Sequence, residues 1–302
     1  MKSVSVGIPT FKPKINLIKK TIDSIISQDY ENITIIISEN APLNDDLKNY
    51  IKNFNIQKIN IQYFAQTKFL SQIDNWDFVI KKASTEYLLI CGDDDTLSKN
   101  YISSSVKILE SDNNIYAVGT RWFHTYEDGT KSVSGGQKYT YKSKYSLFRA
   151  TKYLFEHNDI FVMSLMRTEI AQKVGFKKTI KKYWWPNRDD IANVFTQFIL
   201  KCLLYGKGTY NHEASYEHRS ITFPRVKKDI NFMLFITQSL NGYLRYTNLY
   251  FNFFLTLIKF NIFLTPIYFL IVVFALIKIY FVLARKIIRK LKRYFFNKEK
   301  FY

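Results

Sequence analysis

Cysteine is nearly missing from this chain, with two in 302 residues, Cys91 and Cys202. That excludes a disulfide framework and a cysteine-rich zinc site, and it suits a reducing compartment. Glycine and proline are scarce too, at ten and six, which rules out collagen-like and low-complexity chains. Acidic residues are few: 25 Asp plus Glu face 44 Lys plus Arg, a net charge of +19. Such an excess asks for an anionic partner such as nucleic acid, an acidic membrane surface or a phosphorylated substrate. Ser3–Ile8 is too short for an apolar leader core, so no secretory leader is expected and the N-terminal part is expected to stay in the cytosol.

Apolar residues make up 47% of the chain, enough to build a core, and aromatics make up 17%. The first 120 residues alternate between two periods. Val4, Val6 and Ile8 form a short apolar strand that is expected to stop at Pro9, and Ile15, Ile18, Ile22 and Ile25 recur at helical spacing. The run Ile33–Ser38 reads as a strand buried on both faces. A helix over Asp45–Phe54, a strand at Ile59–Phe64 and a helix over Ser71–Ala83 follow. A buried strand, Tyr87–Cys91, leads into Gly92-Asp93-Asp94-Asp95, and then come a helix near Ile102–Leu109 and a strand at Ile115–Gly119. Such alternation predicts an α/β fold with a mainly parallel sheet and helices on both faces. In such sheets ligands bind beyond the carboxyl ends of the strands, where Pro9-Thr10-Phe11, Glu39-Asn40 and the triple aspartate all fall.

Between Arg121 and Pro224 the pattern is less regular. Thr125–Gln137 reads as a hairpin or loop, and Asp190–Leu204 as a helix ending at Gly206. Beyond Phe232 the chain turns apolar. Phe260–Ile277 carries no charge over 18 residues, and a tail from Arg285 to Tyr302 holds eight bases and one acid, 8 − 1 = +7. An uncharged run followed by bases points to a membrane more than to nucleic acid, which needs no such run.

Three adjacent carboxylates repel one another unless a cation joins them, and Mg2+ or Mn2+ with phosphate oxygens is the natural resolution. A solvated acidic turn is the plain alternative. The order of short patterns also carries a resemblance. Val6–Phe11, Ser24–Gln28 (S-x-x-x-Q), Ile33–Asp45, Asn75-Trp76, the D-x-D at Asp93-Asp94-Asp95 and Arg188-Asp189-Asp190 occur in an order that resembles family 2 glycosyltransferases, over about Ser3–Arg219. The match departs from the family pattern at Glu39, one methylene longer than the usual aspartate.

The resemblance implies a GT-A fold and an inverting, metal-dependent transfer from a nucleotide-sugar donor, with a UDP-sugar favoured. The acceptor would be a glycan or a lipid-linked oligosaccharide in surface polysaccharide or O-antigen-type synthesis. It assigns Pro9, Thr10, Phe11 and Glu39 to the nucleobase side, and Asp93 and Asp94 to the donor diphosphate. Asp93, Asp95 and His218 would hold Mn2+ or Mg2+, with Arg219 a further candidate on the diphosphate. Asp190 would be the catalytic base, with Asp189 as the close alternative; the same pair also suits a helix cap. Trp184 and Trp185 suit sugar stacking or packing alike.

The expected organisation is a catalytic domain at 1–225, split into a nucleotide-sugar half (1–120) and an acceptor half (121–225). An apolar, aromatic, membrane-associating region with a polybasic tail would occupy 226–302. The attachment would be peripheral, monotopic or a short hairpin on the cytoplasmic face, in contact with anionic lipid, and Lys259, Pro266 and Lys278 fit the shallow, monotopic option better. No nucleic-acid partner is expected. The rival readings are a non-catalytic membrane-bound scaffold with a degenerate fold, and a basic nucleic-acid-binding protein.

Overall fold

The computed structural model describes residues 1–52, 59–133, 140–156, 159–176 and 191–220, and toward the C-terminus 250–251, 254–255, 257–259, 263 and 265–298. The chain divides into two compact units, Met1–Thr222 and Phe223–Tyr302.

The first unit begins with β1 (Val4–Phe11), α1 (Ile15–Ile26), β2 (Ile33–Asn40), α2 (Asp46–Lys52) and β3 (Ile59–Gln66). Next come α3 (Gln72–Lys82), β4 (Tyr87–Ile90), β5 (Thr96–Leu97), α4 (Tyr101–Ser111), β6 (Ile115–Tyr126) and β7 (Lys131–Val133). The last elements are α5 (Ser146–Glu156), a 3-10 turn (Asp159–Met163), β8 (Leu165–Arg167), α6 (Thr168–Val174), α7 (Ile191–Tyr205) and β9 (Lys207–Ser220). The described strands form one sheet in the order β3-β2-β1-β4-β8-β6-β9-β5, with β7 beside β6.

The half built from β3, β2, β1 and β4 is parallel throughout. The expected mainly parallel sheet is interrupted at β8, which runs antiparallel to both β4 and β6. β6 and β9 are parallel to each other, and β5 is antiparallel to β9. β1 does not stop at Pro9 but runs on to Phe11, because it stays paired to β2 through Phe11↔Asn40, while its pairing to β4 ends at Gly7↔Ile90, so that beyond it the missing proline N–H is tolerated as on an edge strand.

Side-chain alternation splits the core between the two faces. Val4, Val6, Ile8, Ile33, Ile35, Ile37, Tyr87 and Leu89 share a cluster with Ile18, Ile22 and Ile25 of α1 and Ile102, Val106 and Leu109 of α4. The opposite face takes α3, which sits so close that a methyl group on Gly7 would collide with Val79. α3 starts cleanly because the Ser71 hydroxyl accepts the Asp74 N–H at 3.1 Å, an N-cap.

Two polar clasps set the carboxyl edge of the sheet. Gln28, at the end of α1, donates to Ser98 O (2.9 Å) and accepts from Ile102 N–H (3.1 Å), so it ties the segment after the acidic turn to α4. Asn75, 3% exposed on α3, accepts from Ser38 Oγ (2.5 Å) and donates to Thr10 O and Ser38 O, both at 3.2 Å. It thereby fastens the ends of β1 and β2 to each other and to α3.

In the second unit, α8 (Thr265–Lys298) is a helix of 34 residues. It starts five residues after the beginning of the uncharged run, and Pro266 lies in its first turn, where the missing N–H costs nothing.

Candidate functional site at the carboxyl edge of the sheet

β1 and β2 are each followed directly by a non-glycine residue of positive φ, Lys12 at 50° and Ala41 at 49°. Left-handed backbone at both strand ends turns the chain away sharply and leaves Thr10, Phe11 and Glu39 at the rim. Thr10 Oγ1 donates to Asp93 Oδ2, joining the end of β1 to the acidic turn. Phe11 is half-exposed and meets the exposed Phe69 edge-on, with ring centroids 5.7 Å apart. The loop that carries Phe69 is pinned to β2, since Asn40 Nδ2 donates to Leu70 O (2.7 Å) and Leu70 N–H donates to Asn40 Oδ1 (2.8 Å).

Glu39 is 3% exposed and accepts from the Tyr63 hydroxyl at 2.6 Å. Burial pushes its pKa up, the Tyr63 bond pulls it back, and Asp45 and Asp46 push it up again. Tyr63 rises well above its ordinary value, through burial and then Glu39, so it remains the donor of this pair.

The three aspartates have three different surroundings. Asp95 is 1% exposed and accepts three hydrogen bonds: from the Tyr216 hydroxyl to Oδ2 (2.6 Å), and at Oδ1 from Arg219 N–H (3.0 Å) and His218 Nδ1 (2.9 Å). Tyr216 also accepts the Gly92 N–H at 3.1 Å, so one buried phenol closes the turn Gly92–Asp95 at both ends. Asp93 is engaged by Thr10, and burial raises its pKa. Asp94 accepts no hydrogen bond from any described residue; burial and then the charges of Asp95 and Asp93 push it up to about 6, against the pull of His218 and Arg219.

His218 lies beside this turn and faces His124 across the β6–β9 pair, with ring centroids 5.6 Å apart and Trp122 near both. The bond to Asp95 raises the pKa of His218 more than burial lowers it. Burial, and then the neighbouring His218, lowers that of His124.

Among the described residues no group of three or more His, Cys, Asp or Glu side chains is arranged to hold a metal ion. Mg2+ beside a nucleotide takes one or two carboxylates and completes its shell with phosphate oxygens and water. Asp93 and Asp94 fit that description: hard oxygen donors, partly exposed, whose pKa values are raised by burial and then by neighbouring aspartates, a repulsion that a cation would relieve.

The structure therefore brings together Thr10, Asp93, Asp94, Asp95 and His218, with Arg219 reaching the cluster through its backbone N–H. Pro9, Phe11 and Glu39 lie along the same strand ends. Asp189, Asp190, Trp184 and Trp185 fall outside the described residues. Sequence reasoning missed Tyr216 and the strand that carries it. The available signal was period-two spacing, with Ala214, Tyr216 and His218 on alternate positions of β9. A register shift in β9 opposite Thr120/Arg121, where the pairing jumps from Asn211 to Ser215, conceals that period.

The sequence profile described as Glycosyl transferase family 2 matches residues 5–175. A relative in Campylobacter jejuni subsp. jejuni serotype O:2, the GalNAc(5)-diNAcBac-PP-undecaprenol beta-1,3-glucosyltransferase, is 30% identical over 105 residues. That stretch is 34% of this chain and 33% of the relative, so the match spans about a third of either protein. Among solved structures, S. aureus TarS matches with a TM-score of 0.52 and 14% identity, over 72% of this chain and 37% of that one. The TarS 1-349 fragment gives 0.53 and 12%, over 83% and 65%. The same fragment in complex with UDP gives 0.52 and 14%, over 72% and 60%. At such identities the likeness is one of fold, the GT-A arrangement. The profile covers more than half of the chain, along the strands that build the acidic edge, and the chain belongs to glycosyl transferase family 2.

Proposed function

We propose that this chain is an inverting, metal-dependent glycosyltransferase that moves a sugar from a nucleotide-sugar donor, a UDP-sugar first among candidates, to a lipid-linked glycan acceptor. The observation that carries this reading is the Thr10–Asp93 bond, which makes one continuous rim of the nucleotide-side strand end and the acidic turn. Family membership supports the reaction class. TarS, a fold relative solved with UDP and UDP-GlcNAc, supports the donor class, and the undecaprenol-linked substrate named for the Campylobacter relative supports the acceptor class.

In this reading Pro9, Thr10 and Phe11 border the nucleobase, and Glu39, held by Tyr63, accepts from a base N–H. Asp93 and Asp94 face the donor diphosphate and hold Mg2+ or Mn2+, with Asp95 and His218 beside them. A bound divalent ion supplies Lewis-acid neutralisation of the departing nucleotide. Asp95, clamped by Tyr216 and His218, keeps the turn in one shape. Asp190, or Asp189 beside it, takes the proton from the acceptor hydroxyl as that oxygen attacks the anomeric carbon. Residues 1–225 form the catalytic domain and 226–302 attach it to the cytoplasmic face of the membrane, where a lipid-linked acceptor of O-antigen type would be met.

A thermal-shift series with UDP, GDP, CDP and dTDP, with and without Mn2+, tests the reading on the full chain. A nucleotide at about one hundred times its Kd stabilises by about 2.7 kcal/mol. One nucleotide should raise the midpoint only with metal, and Asp94→Asn should abolish that gain. A flat series on folded protein would remove the donor site, and with it the enzyme.

A further inference from the structure

The two ends of α8 differ in composition, yet one exposed line runs through both. Leu270, Phe274, Ile277, Phe281 and Ile288 are each between 51% and 63% exposed. Their steps of 4, 3, 4 and 7 keep them on one side of a helix that turns about 100° per residue. Tyr268, Val272 and Ala275, spaced 4 and 3 on the other side, are buried; Phe269 meets Phe254 with centroids 5.9 Å apart yet stays exposed, and Ile267 and Val282 widen the exposed apolar surface beside the stripe. A third line, Lys278, Arg285 and Arg289, is exposed along one border of the apolar stripe. There the Arg285 guanidinium lies over the Phe281 ring, 5.5 Å from its centroid.

We propose that α8 docks lengthwise on an anionic membrane leaflet, with the Leu270–Ile288 stripe sunk at the acyl boundary and Arg285 and Arg289 on lipid phosphates. The proposal rests on the membrane attachment in the function proposed above, and it adds the docking face and its orientation. Thr265–Val282 alone is long and apolar enough to cross a bilayer, with a mean hydropathy of 2.2. A helix that left the membrane at Val282 would have no use for an exposed isoleucine at 288 on the same line. A helix lying flat uses the stripe over its whole length and sets the bases at headgroup level. Charge decides between lipid and a second copy of the chain. The segment from Arg285 onward carries eight bases against one acid, so side-by-side pairing of two such helices concentrates like charge, whereas anionic headgroups neutralise it.

The test uses the full-length protein added from detergent to preformed vesicles of phosphatidylcholine, alone or with 30% phosphatidylglycerol. An environment-sensitive fluorophore is placed in turn at Phe274→Cys and Ile288→Cys; the native Cys91 and Cys202 are fully buried and escape labelling. Flotation with the anionic vesicles, weakened by high salt, and equal shallow quenching depths at the two labels are expected. Arg285→Gln/Arg289→Gln should lower binding to anionic vesicles by about 25-fold, at about fivefold per base, and leave binding to neutral vesicles unchanged. A deep label at 274 with a water-exposed label at 288 would overturn the proposal in favour of a spanning helix, while the membrane attachment stands. No flotation on either vesicle would overturn both.

Discussion

Replacing Tyr216 by phenylalanine deletes one oxygen and leaves two groups stranded. Asp95 Oδ2 loses a 2.6 Å donor, and the Gly92 N–H loses its acceptor at 3.1 Å. A hydrogen bond to a charged group contributes about 1.5–3 kcal/mol, and an orphaned buried donor costs at least about 1 kcal/mol. Asp95 is 1% exposed, so water cannot take the place of the phenol there, whereas Gly92 is partly open and belongs at the low end. The sum is about 3 kcal/mol, and at roughly 2–4 °C per kcal/mol for a unit of this size the midpoint should fall by roughly 6–12 °C. Burial raises the Tyr216 pKa well above its ordinary value, so the phenol stays protonated and the loss should not depend on pH between 6 and 9. Thermal unfolding of the mutant beside Tyr101→Phe separates a hydroxyl at the site from one in the core, because the buried Tyr101, though its ring meets that of Tyr216 edge-on, donates its hydroxyl to Met163 O at 3.0 Å. Both variants should lose stability, but only Tyr216→Phe should weaken Mn2+-dependent nucleotide binding. A midpoint within 1 °C of the parent protein would refute the idea that this phenol braces the turn.

Further expectations follow from the same geometry. In Gly92→Ala the new methyl group would run into the Asp95 carboxylate, whose Cγ stands 2.9 Å away, so nucleotide binding should drop at least tenfold while circular dichroism keeps the parent spectrum. Asn75→Leu strands the carbonyls of Thr10 and Ser38 and should cost about 2–4 kcal/mol in urea unfolding, with weaker nucleotide binding. Asp94→Asn bears on pH. The folded pKa of Asp94, about 6, lies above its unfolded value of 3.8, so the folded state binds the extra proton and metal-free stability falls as pH rises from about 4 to 6. The substitution should flatten that slope and, discounted for solvent exposure, add about 1 kcal/mol at pH 7 in metal-free protein; unchanged urea midpoints would contradict it.

The legible part of this molecule was the part with a clean period. Ile33–Ser38 and Tyr87–Cys91 announced buried strands because both faces are covered by helices, and the rim residues followed from where those runs stop. Ser24 and Gln28 were visible only as spaced letters. Their purpose, holding Leu97 N–H, Ser98 O and Ile102 N–H, needs coordinates, because the partners lie some 70 positions away. β8 escaped notice, since three residues between a 3-10 turn and a helix carry no period at all. β9 escaped because its register shift between Asn211 and Ser215 interrupts the alternation just ahead of Tyr216 and His218, which share one face. Asp95, one of the ligands that the resemblance implies, has three protein partners that sequence could not show, more than either neighbouring aspartate has among the described residues.

The antiparallel β8 has a consequence for how the chain matures. Among the described residues only Leu165–Arg167 bridges β4 and β6, and the Arg167 side chain reaches the carbonyls of Leu109 and Ile115 at 2.8 Å each. While the ribosome has delivered β1 through β7 and nothing more, β4 and β6 each present an open edge with a strand-wide gap between them. The nascent chain must therefore carry these two facing borders from Val133 to Arg167 before three amino acids close the seam. A chain released just after Val133 should be a template for aggregation rather than a smaller folded domain. Whatever shields nascent edges in the cell would be needed over that interval and, for the other edge of β6, until β9 is delivered.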